Sequence, residues 1–354
     1  MTYAASIYAR LCASKRWLKV TFNLARATAL MLLLLPAAVA AQPIHLKLAF
    51  YESDDTAVYL YGIKPFVDGV NAEGKGQIAI DVYTDGKLGA ALAEQPQIVL
   101  SGAADITFII PGQTAYRFPD NTLLELPGLF HDLREATLTY TRLVATDALR
   151  GYQNFHVIGA YTTRPNTIHS RKPIDSLSAL RGQKIRANNP TEAALLGRLG
   201  AIPTVLPVPK VADALEHGAI DGAALAPTAL LDYHIVAQAP YHYLLRSGVN
   251  PFALVMNMQK FASLPESAKA LIRKYGGNRA AETWIEAYGR NEQQIFDKIR
   301  SDRRNKIVAP SPADLEVAHR TFRSVIEAWV AQRPQNAELL RMANAELAKI
   351  RSAK

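Results

Sequence analysis

Cysteine is nearly absent from this sequence of 354 residues, in which the single one is Cys12. Beyond the N-terminal forty residues this excludes disulfides, thiol nucleophiles and zinc sites built from cysteine. The chain also lacks G-x-S-x-G, H-E-x-x-H and G-x-x-x-x-G-K-[ST], the motifs of serine hydrolases, zinc peptidases and phosphate-binding loops. The residues therefore carry no local signature of catalysis.

Histidine offers no metal site either, because its eight copies are scattered. The closest pair, His234 and His242, is eight residues apart and has no matching carboxylate. We interpret these two side chains as solvated or capping residues. The sequence thus predicts no bound metal and no cofactor.

The first forty residues hold five basic side chains and no acidic one. An apolar run over 27–35 follows Arg26, and the segment ends in Ala38-Val39-Ala40. This order is typical of a secretory signal peptide, here 1–40. A membrane anchor is the alternative, but the uncharged stretch of about 15 residues is shorter than the roughly 20 that a span needs. We predict cleavage after Ala40 and a periplasmic protein.

Loss of the signal peptide changes the net charge and the size of the protein. The formal charge of +9 falls to about +4, because five basic residues and no acid are removed. Such a weakly basic surface does not indicate a nucleic-acid partner. About 314 residues remain, a length that favours two lobes over one, stabilised by their cores alone.

Short strands alternate with helices through the first two thirds of the chain. Apolar and polar residues alternate over 44–51, and further strands are predicted at 77–83, 104–110, 155–161, 184–188, 205–207 and 219–225. Helices are predicted at 56–71, 88–100, 190–199 and 208–217. The succession of strands and helices predicts βαβ units and a largely parallel sheet.

The character of the chain changes after residue 264. Long helices are predicted at 265–275, 278–301, 312–331 and 336–350, with Pro265 and Pro312 at helix starts. No low-complexity linker is present, so the lobes must be joined by crossing elements, which suits hinge closure. We assign 41–160 mainly to lobe 1 and 161–250 mainly to lobe 2. Residues 251–354 supply a return strand and C-terminal helices that pack across both lobes.

One arginine is placed where open α/β sheets bind ligands. Gly182 allows a tight turn, a strand enters at Lys184, and a helix begins near Pro190, so Arg186 lies at the carboxyl edge of the strand. The planar guanidinium can donate two parallel hydrogen bonds to a carboxylate. On spacing alone, however, an ordinary surface arginine is the simpler interpretation.

The stretch around Arg186 resembles the substrate-binding proteins of TRAP transporters (tripartite ATP-independent periplasmic transporters), the DctP-like family. The family pattern D-L-x-G-x-K-I-R is matched at 180–186 with Ala179 in place of the acid, L-G-A-x-P at 199–203, and A-L-x-x-G-x-x-D-G at 214–222. Upstream, Leu88-Gly89 and the segments 101–105 and 126–130 resemble further family signatures. The matches extend over essentially the whole mature chain, and their order makes them specific.

The resemblance implies a two-lobed α/β periplasmic-binding-protein fold, with mixed sheets flanked by helices and long C-terminal helices bracing both lobes. It implies a monomeric, non-enzymatic protein that captures a small organic acid and delivers it to membrane permease subunits. Two alternatives stay open: an exported enzyme acting on organic acids, and a sensory protein that presents its ligand to a receptor.

In that family the arginine of the K-I-R segment binds the ligand carboxylate, which implies this role for Arg186. A second family arginine lies about 20 residues earlier, and Arg164 is the best match, although a solvated loop arginine is nearly as plausible. The further candidates for ligand contact are Tyr51, Gln113, Asn188 and Thr228, with Tyr116 and Tyr233 as additional aromatic candidates.

Departures from the family pattern concern the ligand. Ile109-Ile110-Pro111, 223–227 (AALAP) and Lys210 stand where relatives often carry acidic or amide side chains. A more apolar pocket favours a monocarboxylate with a hydrophobic or aromatic body, such as a keto acid or an aromatic acid. It argues against a polyhydroxylated ligand.

Overall fold

The computed structural model describes residues 42–353, and within them residues 43–353 form one compact unit. The predicted signal peptide lies outside the described residues. Eleven strands run through this part of the chain: β1 (Ile44–Ala49), β2 (Ile78–Tyr83), β3 (Ile106–Ile109), β4 (Phe155–Thr162), β5 (Thr167–Ser170), β6 (Lys184–Ala187), β7 (Ile202–Val205), β8 (Gly222–Leu225), β9 (Tyr241–Tyr243), β10 (Pro251–Asn257) and β11 (Lys306–Val308).

Eleven α-helices accompany the strands over the same residues: α1 (Lys64–Glu73), α2 (Gln95–Leu100), α3 (Leu133–Ala145), α4 (Pro190–Arg198), α5 (Val211–Glu216), α6 (Pro227–Asp232), α7 (Met258–Ser263), α8 (Glu266–Tyr275), α9 (Gly277–Ser301), α10 (Pro312–Gln332) and α11 (Pro334–Ser352). Within residues 42–353 no helix is long and apolar enough to cross a membrane.

Five strands form the first sheet, in the order β2-β1-β3-β10-β4. β1 pairs in parallel with β2 and β3, whereas β10 runs antiparallel to β3 and β4. The alternation in β1 buries Leu46 and Leu48 fully and leaves Lys47 exposed. β10 is buried except at its last residue, because it lies inside the sheet and its sequence is apolar.

Six strands form the second sheet, in the order β11-β9-β5-β8-β6-β7. β6 is parallel to β7 and β8, and β5 is antiparallel to β8 and β9. Gly182, just before β6, has a φ of +75°, a conformation that a residue without Cβ adopts at little cost. Both sheets are mixed, rather than largely parallel as the alternation predicted, because β5 and β10 each enter from the other sheet.

Two crossing segments carry the chain between the sheets: residues 163–166 lead from β4 to β5, and residues 244–250 lead from β9 to β10. They are hydrogen-bonded to each other. Thr163 N donates to Asn250 O at 3.1 Å, and Asn166 N donates to Gly248 O at 2.9 Å. The lobes are thus joined by paired backbone, an arrangement suited to hinge closure.

Helix α9 also packs on both lobes. Trp284 and Tyr288 in its first half are buried in the core of the first sheet, with their ring centroids 3.9 Å apart. Ile295 and Ile299 in its second half are buried in a core that includes residues of β8. A helix of 25 residues is about 37 Å long, enough to reach both cores. It has the bracing position that the resemblance implied for the C-terminal helices.

The predicted elements differ from the structure mainly at their ends. The helix predicted at 56–71 consists of a π-helical turn, Tyr59–Ile63, followed by α1. The strand predicted at 205–207 is wrong: β7 ends at Val205, and Pro207 precedes a short 3-10 turn. The strands β5, β9 and β11 and the helices α3, α6 and α7 were missed, the strands because three or four residues are too few to display a period.

Candidate ligand-binding cavity

Arg186 occupies an inner strand of the second sheet. Its Cα pairs with that of Ala223 in β8 on one side and Thr204 in β7 on the other. The residue is only 1% exposed. A charged side chain is buried this deeply only where polar partners surround it. Arg186 is therefore not the surface arginine that spacing alone suggested.

Three oxygen acceptors hold the Arg186 guanidinium, and none of them is a carboxylate. Nε donates to Leu206 O at 2.7 Å, Nη1 to Ala224 O at 3.0 Å, and Nη2 to Asn188 Oδ1 at 2.8 Å. Because a guanidinium has five N–H groups, one remains on each terminal nitrogen. Two N–H groups on these neighbouring nitrogens are the donors that a carboxylate binds in bidentate fashion.

No acidic side chain of residues 42–353 forms an ion pair with Arg186. Burial lowers the pKa of Arg186 to about 10, and the nearby Glu192 opposes this shift. The side chain therefore stays cationic at neutral pH. Within the described part of the chain, Glu192 is the only carboxyl group that influences this pKa, and it forms no ion pair with the guanidinium.

A network of amides fixes the partner of Arg186. Asn188 Nδ2 donates to Asn250 Oδ1 at 2.9 Å, and Asn250 Nδ2 donates to Asn166 Oδ1 at 3.1 Å. Asn166 Nδ2 and the backbone N–H of Asn188 both donate to the Glu192 carboxylate, at 2.9 and 2.8 Å. Asn166 and Asn250 belong to the two crossing segments. The side chain that orients Arg186 is thus bonded to the hinge.

Arg186 lines a cavity of about 60 Å³ whose walls come from elements of both sheets. Its lining combines apolar side chains with hydroxyl, amide and carboxyl groups from both lobes and from the crossing segments. The lining residues are Tyr51, Glu52, Val58, Ile110, Thr163, Arg186, Asn188, Val208, Leu225, Ala226, Thr228, Ala229, Asp232, Tyr233, Asn250, Phe252 and Tyr288.

Contacts across the cavity bring the two lobes together. Tyr233 follows α6, and its hydroxyl donates a hydrogen bond to the carboxyl of Glu52, which follows β1. Thr228 Oγ1 in α6 and Tyr288 Oη in α9 are hydrogen-bonded at 2.6 Å. Because these contacts join elements that pack on different sheets, the structure has the cleft closed.

The carboxyl groups in the lining are shifted toward their protonated forms. Burial raises the pKa of Glu52 to about 7, although the hydrogen bond from Tyr233 opposes the shift. Burial also raises the pKa of Asp232 to about 6, against a hydrogen bond from Ala57 N at 3.4 Å. These two acids, like Thr163, Asn250 and Tyr288, are polar lining residues that were not among the predicted site residues.

The structure brings four of the six predicted site residues to this cavity: Tyr51, Asn188 and Thr228 line it together with Arg186. Gln113 lies in a 3-10 turn outside the lining and donates through Nε2 to Asn188 O at 3.3 Å. Of the two other tyrosines, Tyr233 lines the cavity, whereas Tyr116 is 80% exposed and does not.

Arg164 is not placed with Arg186. Its Nε is 3.0 Å from Glu292 Oε2, and Nη2 donates to Gly289 O at 3.3 Å. Burial raises the pKa of Glu292, and the charge of Arg164 opposes that rise. Arg164 therefore has an acidic partner, whereas Arg186 has none among the residues that the structure describes.

Arg164 lines a second cavity, which we term the back groove, with a volume of about 980 Å³. α9, α10 and both crossing segments contribute to it. Its charged and aromatic lining residues are Phe130, His131, Asp132, Arg164, Arg246, Glu292, Phe296, Arg300, His319, Phe322 and Arg323. The groove shares the crossing segments with the smaller cavity as a common wall.

The prediction that His242 is solvated or capping is wrong, because the residue is 1% exposed within the second sheet. Its Nδ1 is 2.8 Å from Nδ1 of His169 on the adjacent β5, so one ring donates and the other accepts. Burial lowers the pKa of both histidines. His234 is exposed and has a φ of +54°. Over residues 42–353 no cluster of three potential metal-ligating side chains is present.

The apolar replacements singled out in the sequence fall on this site. Ile110 lines the cavity, as do Leu225 and Ala226 from the segment 223–227. Lys210 is exposed and lies outside the lining. Two hinged lobes enclose a buried cation that has no ion-pair partner in the described part of the chain, an arrangement typical of a solute-binding protein.

The chain belongs to the family of bacterial extracellular solute-binding proteins, family 7 (DctP), whose model matches residues 49–333. This confirms the family that the motifs indicated. Members are TRAP-type extracytoplasmic receptors for small organic acids rather than enzymes, and they are periplasmic.

Characterised relatives are distant in sequence. The 2,3-diketo-L-gulonate-binding periplasmic protein YiaO of Escherichia coli K12 is 26% identical over 256 residues, covering 71% of this chain and 77% of YiaO. A solute-binding protein of Sulfitobacter sp. NAS-14.1 is 24% identical over 251 residues, covering 70% of this chain and 74% of the relative.

Solved structures confirm the two-lobed fold. A TRAP solute-binding protein of Rhodoferax ferrireducens T118, in complex with copurified benzoate, has a TM-score of 0.78 at 25% identity and covers 88% of this chain and 99% of its own. A marine metagenome TRAP solute-binding protein specific for aromatic acid ligands, in complex with 3-hydroxybenzoate, has a TM-score of 0.81 at 24% identity, with coverages of 87% and 99%.

Proposed function

We propose that this protein captures a small monocarboxylate with an apolar or aromatic body in the periplasm and delivers it to the permease subunits of a TRAP transporter. The observation that carries the proposal is the guanidinium of Arg186. It is buried and cationic, and among residues 42–353 it has no acidic partner and leaves one N–H on each terminal nitrogen unused.

The lining of the cavity supports the ligand class. Ile110, Leu225, Ala226 and Phe252 provide apolar walls on both sides of the cleft. A body without many polar groups is favoured there, because each buried hydroxyl without a partner costs about 1–3 kcal/mol. The benzoate and 3-hydroxybenzoate of the two structural neighbours belong to the same class.

Capture in this proposal is reversible and needs no chemistry on the ligand. The open lobes admit the acid, Arg186 binds its carboxylate, and closure about the crossing segments removes water. The ion pair is stronger in the closed cavity because the dielectric constant there is lower. The closed monomer, with 41–160 and 161–250 as the main parts of its two lobes, then docks on the permease.

The test is isothermal titration calorimetry of the purified protein, freed of copurified ligand by unfolding and refolding. Benzoate, phenylpyruvate, succinate and galacturonate form the panel. We expect one of the two aromatic monocarboxylates to bind with a dissociation constant in the micromolar range and to raise the melting temperature. Binding of only succinate or galacturonate would contradict the proposed ligand class.

The enzyme alternative is tested with the same samples. Proton NMR of the bound acid after prolonged incubation should show the acid unchanged, and a stoichiometric or larger amount of product would establish turnover. Delivery is tested in membrane vesicles that contain the permease. Uptake should depend on added protein, and a sensory role is indicated if the ligand binds but uptake does not respond.

A further inference from the structure

The back groove is lined by more basic than acidic side chains. Four arginines, two histidines and two acids line it: Arg164, Arg246, Arg300, Arg323, His131, His319, Asp132 and Glu292. Both acids have partners within the protein. Glu292 is paired with Arg164, and Asp132 accepts from Glu135 N at 2.8 Å at the start of α3. The other three arginines therefore give the groove its positive charge.

Those three arginines have no acidic partner in the described part of the chain. Arg246 Nη1 donates to His131 O at 3.3 Å, and the guanidinium of Arg300 lies over the Phe296 ring, 5.2 Å from its centroid. Arg323 forms no side-chain hydrogen bond with any residue that the structure describes. All three are exposed. They belong to a crossing segment, the last turn of α9 and α10, so the groove presents cations on three separate elements.

Apolar side chains form much of the remaining groove. Phe130, before α3, and Phe322, in α10, are buried beneath its surface at 4% and 6% exposure. Phe296 is half-buried, and Leu315 is 37% exposed. Apolar surface beside exposed arginines fits an occupant that has both apolar and acidic side chains, because each kind then leaves water for a suitable partner.

The size of the groove and the exposure of its arginines favour a peptide segment as the occupant. Pockets for small molecules measure about 300–1,000 Å³, and the groove, at about 980 Å³, lies at the upper end of this range. The cavity buries its cation, Arg186, whereas the groove leaves its arginines exposed. Arginines and aromatic side chains are enriched together at protein–protein interfaces. A flat membrane surface does not fill a concave groove.

We propose that the back groove docks an acidic segment of a partner protein, a stretch of chain in which aspartate or glutamate residues lie beside apolar ones. Its carboxylates bind Arg246, Arg300 and Arg323, each of which can donate two parallel hydrogen bonds. Its apolar side chains pack on Phe296 and Leu315. Because the crossing segments separate the groove from the cavity, the partner docks without displacing the enclosed acid. The inference goes beyond the proposed function and holds for any acid in the cavity.

The experiment measures the fluorescence anisotropy of a labelled hexapeptide, EFEELE, as the protein without its signal peptide is added. We expect saturable binding that weakens as the salt concentration is raised, because salt screens exposed ion pairs. The triple variant Arg246→Ala/Arg300→Ala/Arg323→Ala should bind the peptide about tenfold or more weakly, since three exposed ion pairs are lost.

The matched control is a second triple variant, Arg290→Ala/Arg320→Ala/Arg341→Ala. It removes the same charge from exposed arginines outside the groove lining, so its affinity for the peptide should stay within about threefold of the wild type. Thermal melting followed by circular dichroism checks that both variants fold. The peptides QFQQLQ, without charge, and EGEEGE, without apolar side chains, should both bind more weakly than EFEELE.

Several results would overturn the inference. Absence of peptide binding would do so directly, and so would equal binding by the wild type and the groove variant. An equal loss in the control variant would show unspecific attraction to a basic protein. If QFQQLQ or EGEEGE bound as well as EFEELE, the stated chemistry of the occupant would be wrong. Co-sedimentation with phosphatidylglycerol vesicles that depends on the three groove arginines, without peptide binding, would assign the groove to a membrane surface instead.

Discussion

The cavity and the back groove lie on opposite sides of the crossing segments, and each contains one of the two arginines predicted to bind ligand. Thr163 and Arg164 are adjacent in the chain, yet Thr163 lines the cavity and Arg164 lines the groove. The side chain of Arg164 is 42% exposed and paired with Glu292, whereas Arg186 is buried and forms no ion pair within the described part of the chain. An arginine that the protein leaves without an anion is the better candidate for binding one.

The largest expected effect comes from Arg186→Ala. Loss of the carboxylate's partner should weaken binding by about 2–4 kcal/mol, because an anion would be left unpaired in a closed cavity. Arg186→Lys keeps a charge without the planar fork and should recover only part of this loss. Calorimetry with the bound acid measures both variants, with circular dichroism as the control for folding. A loss below threefold for the alanine variant would contradict the anchor role.

Glu125 lies close to the crossing segments that separate the two cavities. Glu292 is paired with Arg164, but Glu125 has no such basic partner among the described residues. It is 2% exposed, neither carboxyl oxygen has a hydrogen-bond donor among the described residues, and its backbone lies against Gly248. Burial, and next the charge of Glu192, raise its pKa from 4.5 to about 8. The folded state therefore holds a proton that the unfolded chain releases near pH 4.5.

This raised pKa determines the sign of a pH effect on stability. The contribution of Glu125 to the free energy of unfolding is fully present below pH 4.5 and is lost as the pH rises through about 8. The raised pKa values of Glu52 and Asp232 change the stability in the same direction. Glu125→Gln, which cannot ionise, should be more stable than the wild type at pH 8 by about 1–3 kcal/mol. Urea unfolding at pH 5 and 8 measures this. Identical differences at the two pH values would refute the assignment.

Asn188→Ala should have a smaller effect on affinity, about 1 kcal/mol, because Arg186 would lose one of three acceptors but keep two backbone carbonyls. Asn189→Ala is a neighbouring control. It removes the side chain that accepts from Glu192 N at the start of α4, so it should lower stability rather than affinity. Calorimetry and thermal melting of the two variants should give opposite patterns. An unchanged affinity for Asn188→Ala would show that the carbonyls suffice.

The smallest effect on ligand affinity is expected from Arg164→Ala. The side chain lies in the back groove, so affinity should change by less than threefold, while stability falls because Glu292 loses its charged partner. Arg164→Ala combined with Glu292→Gln should regain much of that stability. A tenfold loss of affinity in the single variant would instead support the predicted ligand contact and would remove the distinction between the two regions.

The position of Arg186 could be predicted because its motif is local: turn, strand and helix start lie within a dozen residues. The side to which Arg164 points was not predictable, since in an extended segment a shift of one residue reverses the face. Glu52 and Tyr233 are 181 residues apart. No sequence period relates them, so only the closed fold identifies them as partners. The burial of His242 was not predicted either, because the three residues of β9 are too few to show a period.

The amide network from Asn166 and Asn250 to Asn188 joins the hinge to the anchor of the ligand. Because Asn166 and Asn250 belong to the crossing segments, a rotation about these segments would act on the amides that support one Arg186 nitrogen. Opening the lobes would then lower the affinity of the site itself, in addition to admitting water. A membrane partner that opens the lobes would in this way also weaken the binding of the acid, so that release would need no further signal.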